Sequence, residues 1–314
     1  MPENGIAIDS QGLTRSFPGV KAVDDLSFQV RYGEIFGLVG PDGAGKTTTM
    51  RMLAGVLAPD TGSARVAGFD VVRDPEKVKH DISYMSQRFG LYEDLTVDEN
   101  IRFYAGIFGV RAAEREERSA RLLQAADMQR FRSRLAGKLS GGMKQKLGLV
   151  CALIHTPKVI LLDEPTNGVD PVSRRDFWKI LYSLLSEGVA ILTSTAYLDE
   201  AERCHRVALL HQGRLLFCDT PAALKARLRN SVVAVHTPEA RRVRDVVQTA
   251  AGVNSAVLVG DGVHLLLDDA RKRIPELQSL LNSASVPFEN VEQISATVED
   301  VFVSAVESSD RGAR

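Results

Sequence analysis

Glu34-Ile35-Phe36-Gly37-Leu38-Val39 runs straight into Gly40-Pro41-Asp42-Gly43-Ala44-Gly45-Lys46-Thr47-Thr48, and this stretch decides the fold. Its first half is a short apolar run, which predicts a buried strand. Lys46–Gly55 follows with Met50, Leu53 and Ala54 at helical spacing. Strand, glycine-rich turn and helix in this order form the context that a phosphate-cradling loop requires. The glycines let backbone N–H groups turn inward without Cβ clashes, and those amides attract anions together with the helix N-terminus. Lys46 is placed to neutralise outer phosphates, and the Thr47 hydroxyl suits magnesium. A turn that merely joins strand to helix has no need of Lys-Thr at this spacing.

Two more stretches extend the reading. Val159-Ile160-Leu161-Leu162 is fully apolar and ends on Asp163-Glu164. Two acids after a strand also describe a solvated strand end. Beside a phosphate loop, Asp163 can hold magnesium through water and Glu164 can polarise an attacking water as a general base. Leu139-Ser140-Gly141-Gly142 opens a predicted helix, Met143–His155, with Ser140 as its cap. Ser-Gly-Gly is a common flexible turn as well, yet a helix N-terminus with bare glycines is an anion site. ATP already has its cradle in the Gly40–Thr48 loop. A second cradle makes sense if it meets a different nucleotide.

Bulk composition narrows the function classes. The 314 residues suffice for two domains with a buried core. At 44% hydrophobic and 25% charged, the makeup is that of an ordinary globular protein. A formal net charge of -1 supplies no global field for nucleic acid. The basic clusters Arg227–Arg229 and Arg241–Arg244 are expected to be solvated helix faces, so no nucleic-acid partner is expected. Cys151, Cys204 and Cys218 are too widely spaced for a disulfide framework or a zinc set, which predicts free thiols in a reducing cytosol. His205 beside Cys204 does not make a metal site. Met1-Pro2-Glu3-Asn4-Gly5 lacks a basic region followed by an apolar stretch, so no signal peptide is expected. Leu147–Ile154 is shorter than the ~20 residues a bilayer span needs. Any membrane role would leave the spanning part to another chain.

Further buried strands are predicted at Ile82–Ser86, Ala190–Thr193 and Val207–Leu210. Between Gln87 and Leu139 the pattern turns helical. Thr96-Val97-Asp98-Glu99 is a capping box, Ile101, Tyr104, Ala105 and Phe108 share a face, and Arg115–Asp127 is a charged amphipathic helix. Residues 88–138 therefore form a helical insertion. Asp170-Pro171 places a cap before a first-turn proline. Phe177, Ile180, Leu181, Leu184 and Leu185 give the following helix its apolar face, and Gly188 ends it. After residue 230 the order is strand Val232–His236, helix Pro238–Ala251, hairpin Ala256–Val259 with Val263–Leu267, helix Ile274–Ala284 and strand Phe288–Ile294. A closing helix, Val298–Val306, follows Thr297. The fold class expected is an α/β core with a helical subdomain, plus a small α+β ferredoxin-like C-terminal domain. The boundaries expected are 1–228, 229–306 and a flexible tail over 307–314.

Taken together, Gly40–Thr48, Gln87, Leu139–Gly142 and Val159–Glu164 resemble the nucleotide-binding subunits of ABC transporters, over residues 6–225. The resemblance implies a P-loop ABC-type ATPase core that uses ATP and Mg2+. Two such domains would face head to tail, each ATP held by the phosphate loop of one and the Leu-Ser-Gly-Gly segment of the other. It implies that Gly40, Pro41, Asp42, Gly43, Ala44, Gly45, Lys46, Thr47 and Thr48 bind the nucleotide of one site. Ser140, Gly141 and Gly142 would complete the opposite site. Glu164 and Gln87 would be catalytic, and Thr47, Gln87 and Asp163 would face the metal. Gln87 matches the glutamine that also touches the transmembrane partner, Asp170 the aspartate that crosses the dimer interface, and Phe17 the aromatic that stacks on adenine. The run through Thr49-Met50, the Met143-Lys144-Gln145-Lys146 sequel and Val298-Glu299-Asp300-Val301-Phe302 resemble bacterial drug, polysaccharide and lipid exporters. In that branch the ATPase and the channel are separate chains. This implies a cytoplasmic subunit, peripheral on the inner face of the cell membrane. Its partners would be a permease chain and a second ABC ATPase domain, identical or different.

One position departs from the pattern. The family carries histidine where this chain has Ala196, in Ser194-Thr195-Ala196-Tyr197-Leu198-Asp199-Glu200-Ala201-Glu202. Alanine cannot donate a hydrogen bond to a γ-phosphate or orient Glu164, and losing one such contact commonly lowers rate by about 10²–10³. Slow hydrolysis through Glu164 and Gln87, pairing with an ATPase half whose site is complete, and a deliberate substitution are the alternatives. The retained Glu164 favours the first two. Ala196 also motivates a rival function, a degenerate regulatory ATP sensor paired with an active ATPase. A non-transport ABC ATPase acting on ribosomes or DNA repair intermediates is a further rival. It would call for a second ATPase domain or a long coiled-coil insertion.

Overall fold

The computed structural model describes residues 5–312 except Arg88, Arg229 and Asp261, with residues 307–312 described by backbone alone. The chain divides at Cys218/Asp219 into two compact units. The first unit opens with an antiparallel pair, β1 (Ile6–Phe17) and β2 (Val20–Arg31). β3 (Ile35–Val39) is buried at every position, as a strand covered on both faces must be. α1 (Lys46–Leu53) follows the glycine loop. Next come β4 (Thr61–Val66), β5 (Phe69–Asp70), α2 (Pro75–Asp81) and β6 (Ile82–Met85). A helical stretch holds α3 (Val97–Ile107), α4 (Ala112–Ala125) and α5 (Gly141–Leu153). The unit ends with β7 (Val159–Asp163), α6 (Pro171–Leu185), β8 (Ala190–Thr195), α7 (Leu198–Ala201), β9 (Arg206–His211) and β10 (Arg214–Asp219).

These strands make two sheets. The larger has the order β10-β9-β3-β8-β7-β6 and is parallel from β9 through β6. The smaller has the order β2-β1-β4-β5 and is antiparallel. α1 shares one core with both: Met50 and Leu53 cluster with Ile8, Leu26 and Val66 of the smaller sheet and with Phe36, Leu161 and Leu192 of the larger. Each such side chain contributes roughly 1.5–3 kcal/mol by leaving water. The periodicity of β1 did not announce the smaller sheet, because bulges shift its register between Ser10 and Leu13 and between Leu13 and Arg15. The helix starts were announced by their caps. Thr96 Oγ1 accepts from Glu99 N while Glu99 accepts from Thr96 N, and Asp170 Oδ1 accepts from Val172 N and Ser173 N.

The second unit holds α8 (Pro221–Ala226), β11 (Ser231–His236), α9 (Ala240–Val247), β12 (Val253–Val259), β13 (Gly262–Leu267), α10 (Ala270–Ser283), β14 (Asn290–Ile294) and α11 (Val298–Gly312). Its sheet, β12-β13-β11-β14, is antiparallel throughout, the arrangement a ferredoxin-like unit requires. Val243, Val247, Leu277 and Leu281 of α9 and α10 pack on Val233, Val235, Leu265 and Leu267. Residues 219–228 belong here, not to the first unit, because α8 packs on α11. α9 is shorter than the predicted Pro238–Ala251 helix, and the chain turns at Gly252, whose φ is 79°. The expected tail from 307 is helical through Gly312, since α11 meets no helix-breaking residue before then. Residues 313–314, and the Met1–Asn4 part of the leader reading, lie outside the described residues.

α11 is pinned to the sheet by a buried carboxylate. Asp300 accepts from His264 Nδ1 at 3.1 Å, and from Thr297 N at 2.8 Å and Thr297 Oγ1 at 2.7 Å. Burial opposes its charge, but the hydrogen bonds from His264 and Thr297 outweigh burial and hold its carboxyl below the usual range. Asp300→Ala should cost about 1–3 kcal/mol by stranding these donors, measured by urea unfolding at neutral pH. The folded pKa is depressed, so the contribution is complete above the unfolded value of about 4 and drains away as pH falls through the folded value. The gap between parent and variant should accordingly shrink in acid.

Candidate functional site

The site is built at the C-terminal ends of the parallel strands, where α/β sheets place their ligands. Register decides who meets whom: Val39 of β3 lies beside Thr195 of β8, and Asp163 of β7 lies beside Ser194. The glycine loop leaves β3 at this point. A Cβ on Gly40 would lie 2.3 Å from Leu210 O, and one on Gly45 would lie 2.4 Å from Ala22 O. Gly45 also has a φ of 97°, so both spacing and backbone demand glycine. Pro41, Asp42 and Gly43 are exposed at the mouth, Ala44 is buried, and Thr48 is half-buried on the first turn of α1.

Lys46 is buried, and its Nζ donates to Gly40 O at 2.8 Å and to Pro41 O at 3.0 Å. The same ammonium pairs with Glu164 Oε1 at 3.1 Å. The other Glu164 oxygen accepts from Gln87 Nε2 at 3.1 Å and from Asn167 Nδ2 at 3.3 Å. Glu164 has a φ of 50°, a conformation that its N–H holds by donating to Ser194 O and Ser194 Oγ. Asp163 is buried and accepts from Thr47 Oγ1 at 3.0 Å, Ser194 Oγ at 2.7 Å and Tyr84 OH at 3.3 Å. Burial, and then the Asp163 charge, push the Tyr84 phenol up to about 12, so it stays a donor. Lys46, Thr47, Gln87, Asp163 and Glu164 thus meet in one cluster.

Ser140, Gly141, Gly142 and Asp170 form another. Ser140 Oγ caps α5 by accepting from Met143 N at 3.3 Å. A Cβ on Gly141 would meet nothing within 4 Å, whereas one on Gly142 would lie 2.4 Å from Ser173 Oγ and 3.3 Å from Asp170 Oδ2. The tips of α5 and α6 therefore adjoin. The Ser173 backbone N–H, then the Ser173 hydroxyl, hold the Asp170 carboxyl below its usual range. Among the described residues, no hydrogen bond or ion pair joins Ser140, Gly141 or Gly142 to the lysine cluster. Phe17 is 43% exposed at the end of β1, with the Arg15 guanidinium 5.2 Å from its ring. Its hairpin is the one that places Ala22 against Gly45.

Ser194, Tyr84, Asn167 and Tyr197 escaped the sequence reading. For Ser194 the signal was a polar residue ending an apolar strand next to the acid-bearing one. Ala196 adjoins a cavity of about 180 Å³ lined by Asp42, Glu164, Thr166, Asn167, Thr195 and Tyr197. His205 does not compensate, since its Nδ1 accepts from Ile35 N at 3.1 Å. A larger cavity of about 560 Å³, walled by Leu122, Leu153, Leu184 and Val189, sits at the opposite strand ends and holds none of these groups. Cys151, Cys204 and Cys218 form no disulfide with one another, and burial pushes the Cys151 and Cys204 thiols up. No group of three or more His, Cys, Asp or Glu side chains forms a metal cluster among the described residues. The oxygen pair of Thr47 and Asp163 fits magnesium, a hard ion that keeps much of its water.

Fold and site define a P-loop nucleotide-binding core. The family described as "ABC transporter" matches residues 23–167. The chain is 44% identical to the probable multidrug ABC transporter ATP-binding protein YbhF of Escherichia coli, over 96% of this chain and 52% of that protein. It thus spans about half the length of that relative. Identity is 39% to the daunorubicin/doxorubicin resistance ATP-binding protein DrrA of Streptomyces peucetius, over 75% of this chain and 72% of that one. A solved ATP-binding subunit of an ABC transporter superposes with a TM-score of 0.65 at 31% identity, covering 70% of this chain and 92% of that one. The chain belongs to the ABC transporter family, among its ATP-binding proteins.

Gly45→Ala drives a methyl into the Ala22 carbonyl and demands a strained backbone. ATP affinity should fall about 10-fold or more, as titration with a fluorescent ATP analogue would measure.

Proposed function

We propose that this chain binds ATP with Mg2+ at the Lys46–Glu164 cluster, hydrolyses it, and powers an exporter by closing on a second ATPase domain. The 3.1 Å contact between Lys46 and Glu164 carries the reading, because it sets a phosphate-binding ammonium against a general base. Incoming phosphates compete for Lys46 and for the inward amides of the glycine loop. Lys46 then leaves Glu164, whose carboxylate is free to take a proton from water. Thr47 and Asp163 would hold Mg2+, with Gln87 beside them, and the ion would neutralise charge on the phosphates. Phe17, exposed on its hairpin, offers a face to the adenine. Pro41, Asp42, Gly43 and Thr48 complete the cradle.

Ser140 and the uncrowded Gly141 present a second anion-binding tip away from that cluster. A tip without a ligand of its own fits the nucleotide of a partner domain, with Asp170 beside it at the interface. The partner domain is a second copy or a different ATPase half. No helix among the described residues is long and apolar enough to cross a membrane. We assign the spanning permease to a separate chain, in keeping with relatives named as ATP-binding proteins. Tyr92, Phe103 and Ile107 are exposed, with the Tyr92 and Phe103 ring centres 4.5 Å apart, and offer it an apolar surface to grip. The site of action is the cytoplasmic face of the cell membrane. The names of YbhF and DrrA support export, and drug export in particular.

Glu164→Gln should trap ATP, so Mg-ATP should shift that variant to a dimer in size-exclusion chromatography with light scattering. A monomer under those conditions would oppose the sandwich. Ala196 supports one rival, a slow or silent site that senses ATP for an active partner. Ala196→His should raise steady-state phosphate release by about 10²–10³ if the missing imidazole limits turnover. Brisk parental turnover that Lys46→Ala abolishes would reject the sensor.

A further inference from the structure

With alanine at 196, something else must aim the general base. Among the described residues, three groups hold the Glu164 carboxylate: Lys46 on Oε1, and Gln87 and Asn167 on Oε2. The proposed function, on which this inference rests, recruits two of them elsewhere, Lys46 to phosphate and Gln87 toward the metal. Asn167 has no such competing duty. We infer that Asn167 is the positioning residue that keeps Glu164 aimed once nucleotide has drawn the other two away.

The local chemistry fixes Asn167 from both sides. A carboxylate oxygen accepts hydrogen bonds, so the asparagine presents its Nδ2 there. Its Oδ1 then faces the Tyr197 hydroxyl, which donates at 3.3 Å. A flipped amide would set its oxygen against the Glu164 carboxylate and lose that bond. Asn167 N also donates to Glu164 O at 3.2 Å, so one turn ties the two backbones. Tyr197 is steadied in turn: its N–H donates to Thr195 Oγ1 at 2.9 Å, and the Arg174 guanidinium lies 4.6 Å from its ring centre. Arg174 is anchored by Glu200 Oε1 at 3.6 Å, and this fully buried carboxylate also accepts from Thr166 Oγ1 at 2.6 Å and Trp178 Nε1 at 3.4 Å. A polar chain therefore runs from the core beneath α6, through Arg174, Tyr197 and Asn167, to the reacting carboxylate. It goes around Ala196, whose methyl takes no part in it.

The test is steady-state ATP hydrolysis by the full chain over a range of ATP concentrations, with Lys46→Ala as the reference for lost turnover. Asn167→Ala should lower kcat about 10-fold, with KM for ATP unchanged within about 2-fold. The near-isosteric Tyr197→Phe, which leaves Asn167 in place, should lower kcat less, by about 3-fold. A parental kcat in Asn167→Ala overturns the inference. So does a change confined to KM. If Lys46→Ala itself turns over like the parent, it is the hydrolysis reading that fails.

Discussion

Parallel hydrogen bonding of β3, β8 and β7 in one register is the constraint on which the site depends. It sets Val39 beside Thr195 and Asp163 beside Ser194. The phosphate loop, the acidic pair and the Ser194–Tyr197 segment therefore emerge at one level. A slip of one residue would turn every side chain of a strand to the opposite face. Asp163 would then exchange its polar partners for the core, where an unpaired carboxylate costs several kcal/mol.

That constraint explains how one serine serves two acids. Ser194 Oγ donates to Asp163 and accepts from Glu164 N. The hydroxyl thereby satisfies one carboxylate and stabilises the left-handed turn that points the next one outward. Adjacent residues of a strand normally face opposite ways. The bend at Glu164 lets Asp163 stay buried against Thr47 while Glu164 reaches Lys46 across the mouth of the loop.

Much of this was legible in the residues, and what was not has identifiable causes. The Gly40–Thr48 loop, the Val159–Glu164 strand and the caps at Thr96, Ser140 and Asp170 carry local chemistry, which short stretches of sequence express directly. The β-α-β-β-α-β order of the second unit was legible for the same reason, as alternation between turns. The smaller antiparallel sheet was not, because bulges in β1 break the period-2 pattern that would reveal it. Tyr84 and Asn167 were invisible because their roles arise from tertiary proximity: Tyr84 reaches Asp163 across the β6–β7 pair, and Asn167 reaches Tyr197 over a long sequence gap. The end of α11 was not legible because Glu307-Ser308-Ser309-Asp310-Arg311 is polar in sequence, which suits a helix end as well as a tail.

The carbonyl of Ala22 is wedged between two glycines that tolerate no side chain: a Cβ on Gly45 would lie 2.4 Å from it, and one on Gly213 would lie 2.9 Å away. The hairpin bearing Phe17, the phosphate cradle and the β9–β10 turn are thus interlocked at a single backbone atom, with no compliant side chain between them to absorb play. On the proposed reading, where the Phe17 ring meets the base and the glycine loop meets the phosphates, grip on the one is mechanically grip on the other, because the root of the hairpin bears on the cradle through backbone alone.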